Sequence, residues 1–181
     1  MKQGVRVLSL DGFPFSRLDK KTKMVGIVGR RGVIEGILSF SVSVDGNDST
    51  ESIIKAVKRS RFAGQIRVIA LNGTVVAGLN AMDLTQLKKD LNMQPLAITR
   101  KRPRHRLLES VARKRLGRER ALLISKLNNS LETTKISGYY VQCLKGSAKP
   151  SEELVEICVS LLRLSHLIAS GMAKGESTGR L

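Results

Sequence analysis

Apolar and β-branched positions cluster in three runs within the first 44 residues. Residues 5–10 alternate and end at Asp11-Gly12, a pattern typical of a strand that runs into a turn. Two further runs, 24–28 and 33–44, flank the short sequence Gly29-Arg30-Arg31-Gly32, which favours a hairpin turn with a basic tip. The pattern therefore predicts three consecutive antiparallel strands.

In the next 55 residues, apolar positions are spaced alternately as in helices and as in strands. Apolar residues at helical spacing predict helices over 49–61 and 79–91. Between them, residues 66–71 are almost entirely apolar, as in a strand buried on both faces, and residues 95–99 form a last short run. Strand, helix and strand at these spacings predict a parallel right-handed crossover with the 66–71 strand near the centre of the sheet.

The second half of the chain contains a basic run followed by one more strand and a long helix. Leucines at helical spacing within residues 100–120 predict a folded basic helix, and 139–144 predicts a strand. A helix is expected to begin near Ser151 and to end at Gly171, because its stripe of apolar residues stops there. We expect a single domain over residues 1–172 and a mobile polar tail over 173–181.

The net charge of the chain indicates what class of molecule it binds. The 181-residue chain has 32 Lys and Arg against 15 Asp and Glu, a net charge of +17, and this balance favours a polyanion, above all a nucleic acid. No uncharged apolar run reaches the roughly 20 residues that a membrane span requires, and no signal peptide is recognisable at the start, so we expect no membrane partner. Two cysteines provide neither a disulfide framework nor a zinc quartet, and a reduced cytoplasmic setting is the expectation.

The positive charge is concentrated in the basic run. Ten Lys or Arg residues against two Glu lie between Thr99 and Arg120. A solvated helix from a heat-adapted protein is one interpretation, but uncompensated like charges repel one another unless phosphates lie among them, so phosphate contact is favoured. The residues expected to bind nucleic acid are Arg100, Lys101, Arg102, Arg104 and Arg106.

Polar side chains follow the predicted strands at the positions where each strand ends. Asp11 follows the first strand, Asp45 the third and Asn72 the buried one, and Asn72 should lie beside Asp11 if those strands are neighbours. A few hard oxygen ligands that leave water on the ion suit Mg²⁺ or Mn²⁺. Each residue also has a structural interpretation, since Asp-Gly and Asn-Gly pairs are common in turns and Asp48 with Glu51 matches a helix-capping box.

Four sequence segments resemble an archaeal family known as domain of unknown function 99, which is itself similar to endonuclease V. The segments are VRVLSLDG at residues 5–12, VDG at 44–46, IALNG at 69–73 and RLSHLIA at 163–169. The resemblance implies a ribonuclease H-like α/β fold: a mixed five-stranded sheet with strands 1 to 3 antiparallel, strands 4 and 5 parallel to strand 1, and a C-terminal extension.

The same resemblance implies an arrangement of site residues. Asp11 would supply the carboxylate that ends strand 1, Asp45 the acid that ends strand 3, with Asp48 in reserve as a metal ligand, and Asn72 stands where the nuclease has an Asp. Arg100 occupies the place of a Lys that approaches the phosphate. His166 has two equal interpretations, a site residue or a half-buried polar side chain.

Two functions follow as hypotheses. The first is a Mg²⁺- or Mn²⁺-dependent phosphodiester hydrolase similar to endonuclease V, and the alternative is a non-catalytic nucleic-acid-binding module on the same scaffold. Asn72 favours the alternative, because a neutral amide oxygen holds a divalent ion less well than a carboxylate. The choice between DNA and RNA and the oligomeric state stay open.

Overall fold

The computed structural model describes residues 4–177 and consists of one large mixed sheet with helices on both faces. The elements in chain order are β1 (Val7–Gly12), β2 (Lys21–Arg30), β3 (Val33–Ser43), α1 (Ser49–Arg59), β4 (Val68–Leu71), β5 (Val75–Val76), β6 (Asn80–Ala81), α2 (Leu84–Leu91), β7 (Gln94–Thr99), α3 (His105–Leu116), α4 (Arg118–Asn129), β8 (Leu131–Ile136), β9 (Tyr139–Leu144) and α5 (Glu152–Lys174).

The large sheet has the strand order β3-β2-β1-β4-β7-β9-β8. Strands β1, β2 and β3 pair antiparallel, and β4 and β7 run parallel to β1, which confirms the predicted directions of the first five strands. The predicted strand count of five is wrong, because β9 pairs antiparallel with β7 and β8 pairs with β9 to give seven strands. The Tyr139–Leu144 strand therefore extends the main sheet.

Two apolar clusters sandwich this sheet. On one face α1 and α2 pack through Ile53, Val57 and Leu87, all of which are buried. On the other face α5 packs on β1 and β2. A third, smaller cluster around Ala112 and Ile124 holds α3 and α4 against the β5–β6 hairpin.

Two of the predicted helices differ from the structure in where they begin or break. The helix expected over 79–91 begins only at Leu84, because Asn80–Ala81 pairs with Val75–Val76 and the Asp83 side chain accepts a hydrogen bond from the Gln86 N–H at 3.0 Å. The single basic helix is two helices, since Gly117 at φ 91° separates α3 from α4.

The last helix continues past Gly171 to Lys174 and ends at Gly175, whose positive φ forms the C-cap. The predicted mobile tail over 173–181 therefore begins inside α5, and its residues 178–181 lie outside the described residues. By length and composition α5 is apolar enough to cross a membrane. Its fully buried residues Val155 and Cys158, however, pack in the core cluster on the sheet, as those of a core helix do.

Candidate active site

One edge of the sheet collects most of the predicted site residues. Strands β1, β3, β4 and β7 all run in the same direction and end at this edge, which we call the site edge. Leu10 pairs with Leu71, so the residues that follow them, Asp11 and Asn72, lie side by side as predicted. The Asn72 Nδ2 donates to Asp11 Oδ1 at 3.4 Å.

The Asp11 carboxylate is held by its own strand and by α5. Its Oδ1 accepts from the Gly12 N–H at 2.9 Å, and its Oδ2 lies 2.9 Å from Nδ1 of His166. A carboxylate only accepts hydrogen bonds, so Nδ1 donates and Nε2 is the imidazole atom left to exchange a proton. The Ser170 hydroxyl lies 3.5 Å from Nε2. Asp11, His166 and Ser170 thus form a continuous polar chain.

A buried serine pair links α5 to β1 next to this contact. Ser9 and Ser165 are fully buried, and their hydroxyl oxygens are 2.7 Å apart. Ser165 also donates to the Leu161 carbonyl one turn earlier at 3.1 Å. Because Ser165 precedes His166, this link between β1 and α5 directs the imidazole toward Asp11, two residues beyond Ser9. Sequence reasoning missed the pair, although a serine inside the apolar stripe of α5 was a visible signal.

Asp45 lies at the same edge but is engaged elsewhere. Its Oδ1 accepts from the Leu79 N–H at 2.9 Å, and its Oδ2 forms an ion pair with Arg115 of α3 at 2.7 Å. Strand β2 lies between β1 and β3, which separates the two outer strands by about 10 Å. Through Val25, Asp11 is level with Ser39, so Asp45 also lies beyond it along the strand direction. The structure therefore does not join Asp45 to Asp11, and the Arg115 partner was not foreseen.

Asp48 has a structural role that differs from the predicted capping box. Its carboxylate accepts from the Ser43 N–H at 3.0 Å, the Ser43 hydroxyl at 2.9 Å and the Asn80 side chain at 2.8 Å, and makes no side-chain cap to α1. Partial burial raises the pKa of Asp48, but these hydrogen bonds outweigh burial and lower it below its ordinary value. Asn80 takes over the cap, since its Oδ1 accepts from the Ser49 N–H at 3.1 Å.

These contacts limit the metal ion that the site could hold. Across residues 4–177 no three His, Cys, Asp or Glu side chains are grouped closely enough to bind an ion, so the expected ligands Asp11, Asp45 and Asp48 do not assemble. What remains is the Asp11 carboxylate beside the Asn72 amide, which presents its Nδ2 group to Asp11 and would have to turn over to offer its oxygen to an ion. Because Mg²⁺ keeps several waters and needs only one or two carboxylates, this donor set fits one weakly held hard cation.

The predicted nucleic-acid-binding residues surround the end of β7 and the start of α3. Arg100 follows β7 at the site edge, and residues 100–106, which we call the basic segment, comprise the loop before α3 and the first two residues of α3. The five cations of this segment are exposed and form no ion pair with any residue of the described range 4–177: Arg100, Lys101, Arg102, Arg104 and Arg106.

Only part of the basic run is uncompensated. Besides the Arg115–Asp45 pair, Arg120 hydrogen-bonds the Gly46 carbonyl and reaches Asn47 Oδ1 at 3.3 Å. These two arginines attach α3 and α4 to the turn after β3. The run therefore contains two arginines bound to the turn after β3, whereas the basic segment is exposed and begins at Arg100 beside Asn72.

Comparisons with known proteins agree on one family. A sequence profile described as Endonuclease dU matches residues 3–173. Relatives described as UPF0215 protein include one from Thermococcus gammatolerans, 36% identical over 98% of this chain and 97% of its own length. Another comes from Methanothermobacter thermautotrophicus and is 33% identical over 99% of this chain and 93% of its own length. These relatives confirm the predicted kinship with an archaeal family.

A solved structure from Archaeoglobus fulgidus is similar to this chain over nearly its whole length. The crystal structure of a protein of unknown function from Archaeoglobus fulgidus superposes with a TM-score of 0.83 at 29% identity, covering 94% of this chain and 99% of that one. The structure of human endonuclease V gives a TM-score of 0.49 at 11% identity, covering 94% of this chain and 85% of that one.

Proposed function

The chain belongs to the Endonuclease dU family, and from this membership we propose that it binds nucleic acid and hydrolyses a phosphodiester bond at the site edge. The observation that carries the proposal is the Asp11–His166 contact of 2.9 Å beside Asn72, next to an exposed basic segment. A proton-transferring pair and a phosphate-binding surface at one sheet edge are what such a reaction requires.

The basic segment would position the strand. Arg100 and Arg102 can hold phosphate oxygens, and the guanidinium group offers paired donors in a geometry that matches them. Such contacts carry no sequence information, so base recognition has to come from other residues near Asn72.

His166 would accept the proton of the attacking water, and Asp11 would orient the His166 ring. With Nδ1 donating to Asp11, the Nε2 atom of His166 is available to accept a proton, and Asp11 fixes the ring orientation and stabilises the charged imidazole. The Ser170 hydroxyl, 3.5 Å from Nε2, would donate to the same lone pair at rest and would have to release it when the attacking water gives up its proton.

A divalent cation, if it takes part, would be held by Asp11 and Asn72. When bound, Mg²⁺ or Mn²⁺ supplies charge to the phosphate and lowers the pKa of a coordinated water. Asp45 would not be among these ligands, because β2 separates its strand from that of Asp11 and Arg115 pairs with its carboxylate. This ligand set is weak, so millimolar rather than micromolar metal dependence is expected.

The alternative function is a non-catalytic nucleic-acid-binding module. Two observations favour it: Asn72 lacks the charge of an aspartate, and the Asp45 carboxylate is neutralised by Arg115. Under this alternative the basic segment still binds phosphates, and substitution of Asp11 leaves binding unchanged.

A strand-cleavage assay tests the proposal. Because the family description names dU, the first substrate is an oligonucleotide with one deoxyuridine, compared with undamaged and deoxyinosine-containing strands, single- and double-stranded, with Mg²⁺ or Mn²⁺. Asp11→Ala should abolish cleavage, whereas Asp90→Ala, an exposed acid on α2, should not change it. Cleavage that survives Asp11→Ala, or that is absent from the wild-type protein on all substrates, contradicts hydrolysis at this site.

A further inference from the structure

Strand β3 forms an outer edge of the large sheet and pairs with β2 on its inner side. The Val44 N–H donates to the Lys20 carbonyl at 3.0 Å, and this bond sets the alternation of hydrogen-bonded and non-bonded pairs between the two strands. The alternation turns the N–H and C=O groups of every second residue away from β2: Ile37, Ser39 and Ser41. Within residues 4–177 these groups have no hydrogen-bond partner, and we call 37–41 the open edge.

Both ends of β3 are closed by side chains, whereas the open edge between them is unprotected. The Ser43 N–H donates to Asp48 at 3.0 Å, and Arg61 donates to the Glu35 carbonyl at 3.2 Å. Residues 36–42 include no proline and no charged residue, although β8, the other outer strand, contains two charged residues. Charges and prolines are what keep an edge strand from pairing with a further strand, so the open edge can accept one.

A groove with a volume of about 410 Å³ lies along the open edge, on the face of the sheet that α1 covers. Leu38 and Phe40 of β3 line one side of the groove, and Lys55, Ala56 and Arg59 of α1 line the other. Lys55 and Arg59 are exposed and form no ion pair with any residue of the described range. The groove therefore presents positive charge beside an apolar surface.

A second cavity, of about 330 Å³, lies near the start of β3 on the opposite face, between the β2–β3 hairpin and α5. Val33 and Ile34 line it together with apolar residues of α5, and both are about half exposed. Ile37 pairs with Ile27 of the α5 cluster, so it faces this side too, and it is also about half exposed. Cavities and exposed apolar side chains thus flank β3 on both faces of the sheet.

This arrangement matches the geometry of a strand added to a sheet. Successive side chains of a strand point to opposite faces, so every second side chain of an added strand would enter the groove beside α1. The other side chains would cover Ile34 and Ile37 on the α5 side. In recognition by strand addition, main-chain hydrogen bonds supply affinity and pockets for alternate side chains supply specificity.

The charges of the groove decide which kind of strand fits. Lys55 and Arg59 favour acidic side chains on the groove side, and the full chain has a net charge of +17. A second copy of this chain is disfavoured. If two β3 strands paired antiparallel about a two-fold axis, both α1 helices would lie on the same face and bring their Lys55 and Arg59 side chains together.

We propose that the open edge binds an extended acidic segment of a partner protein as an additional strand of the sheet. Its acidic side chains would lie in the groove beside Lys55 and Arg59, and its alternate, apolar side chains would cover Ile34 and Ile37. The surface contains neither Asp11 nor any residue of the basic segment, so the proposal is independent of the proposed hydrolysis.

A short peptide in which Glu alternates with Val, blocked at both ends and labelled with a fluorophore, tests strand addition by fluorescence anisotropy. It should bind saturably, and a peptide with Lys in place of Glu should not. Only every second amide of an added strand faces β3, so N-methylation of one alternate set should abolish binding and N-methylation of the other set should not. Equal affinities of the two methylated peptides, or no saturable binding of the unmodified peptide, overturn the proposal.

Ser39→Pro tests the open edge from the side of the protein. The Ser39 N–H points away from β2, so proline removes an outward donor and leaves the β2–β3 hydrogen bonds in place, as edge strands tolerate. Peptide affinity should fall by at least about tenfold, whereas Ser39→Ala, which keeps the N–H, should stay within about twofold of wild type. A thermal unfolding midpoint verifies the fold of each variant, and equal affinities of the two folded variants contradict strand addition.

Arg59→Glu and Lys58→Glu test the groove and do not depend on whether the proline variant folds. The two substitutions change the net charge equally, and the side chains point about 100° apart on α1. Only Arg59 lines the groove. Arg59→Glu should weaken binding of the Glu–Val peptide by about tenfold and Lys58→Glu by less than about threefold. Equal losses would mean that the peptide is attracted to the net charge alone, and would reject the groove.

Two measurements distinguish other occupants. Sedimentation of the wild-type and Ser39→Pro proteins should give the same oligomeric state, and a dimer that Ser39→Pro dissociates would assign the open edge to a second copy and overturn the proposal. The affinity for a short oligothymidylate should be equal in Arg59→Glu and Lys58→Glu. A loss in Arg59→Glu alone would assign the groove to nucleic acid instead.

Discussion

Nδ1 of His166 lies 2.9 Å from Oδ2 of Asp11, although the two residues are 155 positions apart in the chain. The contact is partly shielded, since the Asp11 side chain is 12% exposed and that of His166 33%. A carboxylate that orients an imidazole through one nitrogen, so that the other nitrogen can take up a proton, is an arrangement used for general acid–base catalysis.

His166→Gln should lower the rate of strand cleavage by about 10²- to 10⁴-fold, because glutamine can still donate to Asp11 but cannot take up a proton. The readout is the single-turnover rate at saturating protein concentration, with oligonucleotide affinity measured in parallel. Affinity should change little, since phosphate binding depends on the basic segment.

Ser170→Ala is the matched control on the same helix. It removes the hydroxyl 3.5 Å from Nε2 but keeps the imidazole, so we expect a loss of less than about tenfold. A His166→Gln protein that is folded and cleaves at the wild-type rate would reject the proposed proton transfer.

Asn72→Asp tests whether the site lacks one charge. The new carboxylate would lie within hydrogen-bonding distance of Asp11, where two like charges repel, so the metal-free protein should unfold at a lower temperature. Mn²⁺ should restore the unfolding temperature and bind at least about tenfold more tightly than to wild type. Asn72→Ala is the control, and an Mn²⁺ affinity equal in Asn72→Asp and Asn72→Ala would contradict a metal position between these residues.

The neighbouring ends of β1 and β4 could be predicted from sequence because they depend on local patterns. An alternating run ending in Asp11 and an apolar run ending in Asn72 are each readable in a few residues, and parallel pairing then brings both to one edge. The Asp11–His166 contact could not be predicted with the same certainty. It depends on how α5 is rotated on the sheet, which follows from its whole buried apolar face together with the buried Ser9–Ser165 pair.

The errors concern polar residues whose partners are distant in sequence. Asp48 and Glu51 match a capping box, but Asn80 reaches α1 from 31 positions away and leaves Asp48 to bind Ser43. The same Asn80 is fully buried in the β5–β6 hairpin, which is why the helix expected to begin at Leu79 begins at Leu84. Local spacing contains no information about such long-range acceptors.

Strand β8 was missed for a different reason. Residues 131–136 alternate only weakly and include the charged residues Glu132 and Lys135, as is common for an edge strand. The clearest signal was the Ser137-Gly138 pair before Tyr139, which forms the tight hairpin turn.

The basic segment predicts a specific salt dependence. If Arg102 contacts one phosphate, Arg102→Ala should reduce the slope of log affinity against log salt by about 0.7 to 0.9 and weaken binding similarly for all sequences. Lys58→Ala, on the exposed face of α1, should leave the slope unchanged. Slopes equal in the two variants would place the phosphate path away from residues 100–106.

Asp48 predicts how stability changes with pH. Asp48→Ala leaves the Ser43 N–H and the Asn80 amide without their acceptor, which should lower the free energy of unfolding at pH 7 by about 1–3 kcal/mol. Since hydrogen bonding lowers the pKa of Asp48 in the folded protein, its contribution is complete above the unfolded-state value of about 4 and is lost as pH falls through the folded-state value. The stability difference between wild type and variant, measured by urea denaturation, should therefore shrink as pH decreases below about 4.

Glu51→Gln separates this network from the capping box. Glu51 is exposed in the first turn of α1, and Asp48 makes no side-chain cap there. The substitution should therefore change the free energy of unfolding by less than about 0.5 kcal/mol. A loss in Glu51→Gln as large as that in Asp48→Ala would instead support the capping box.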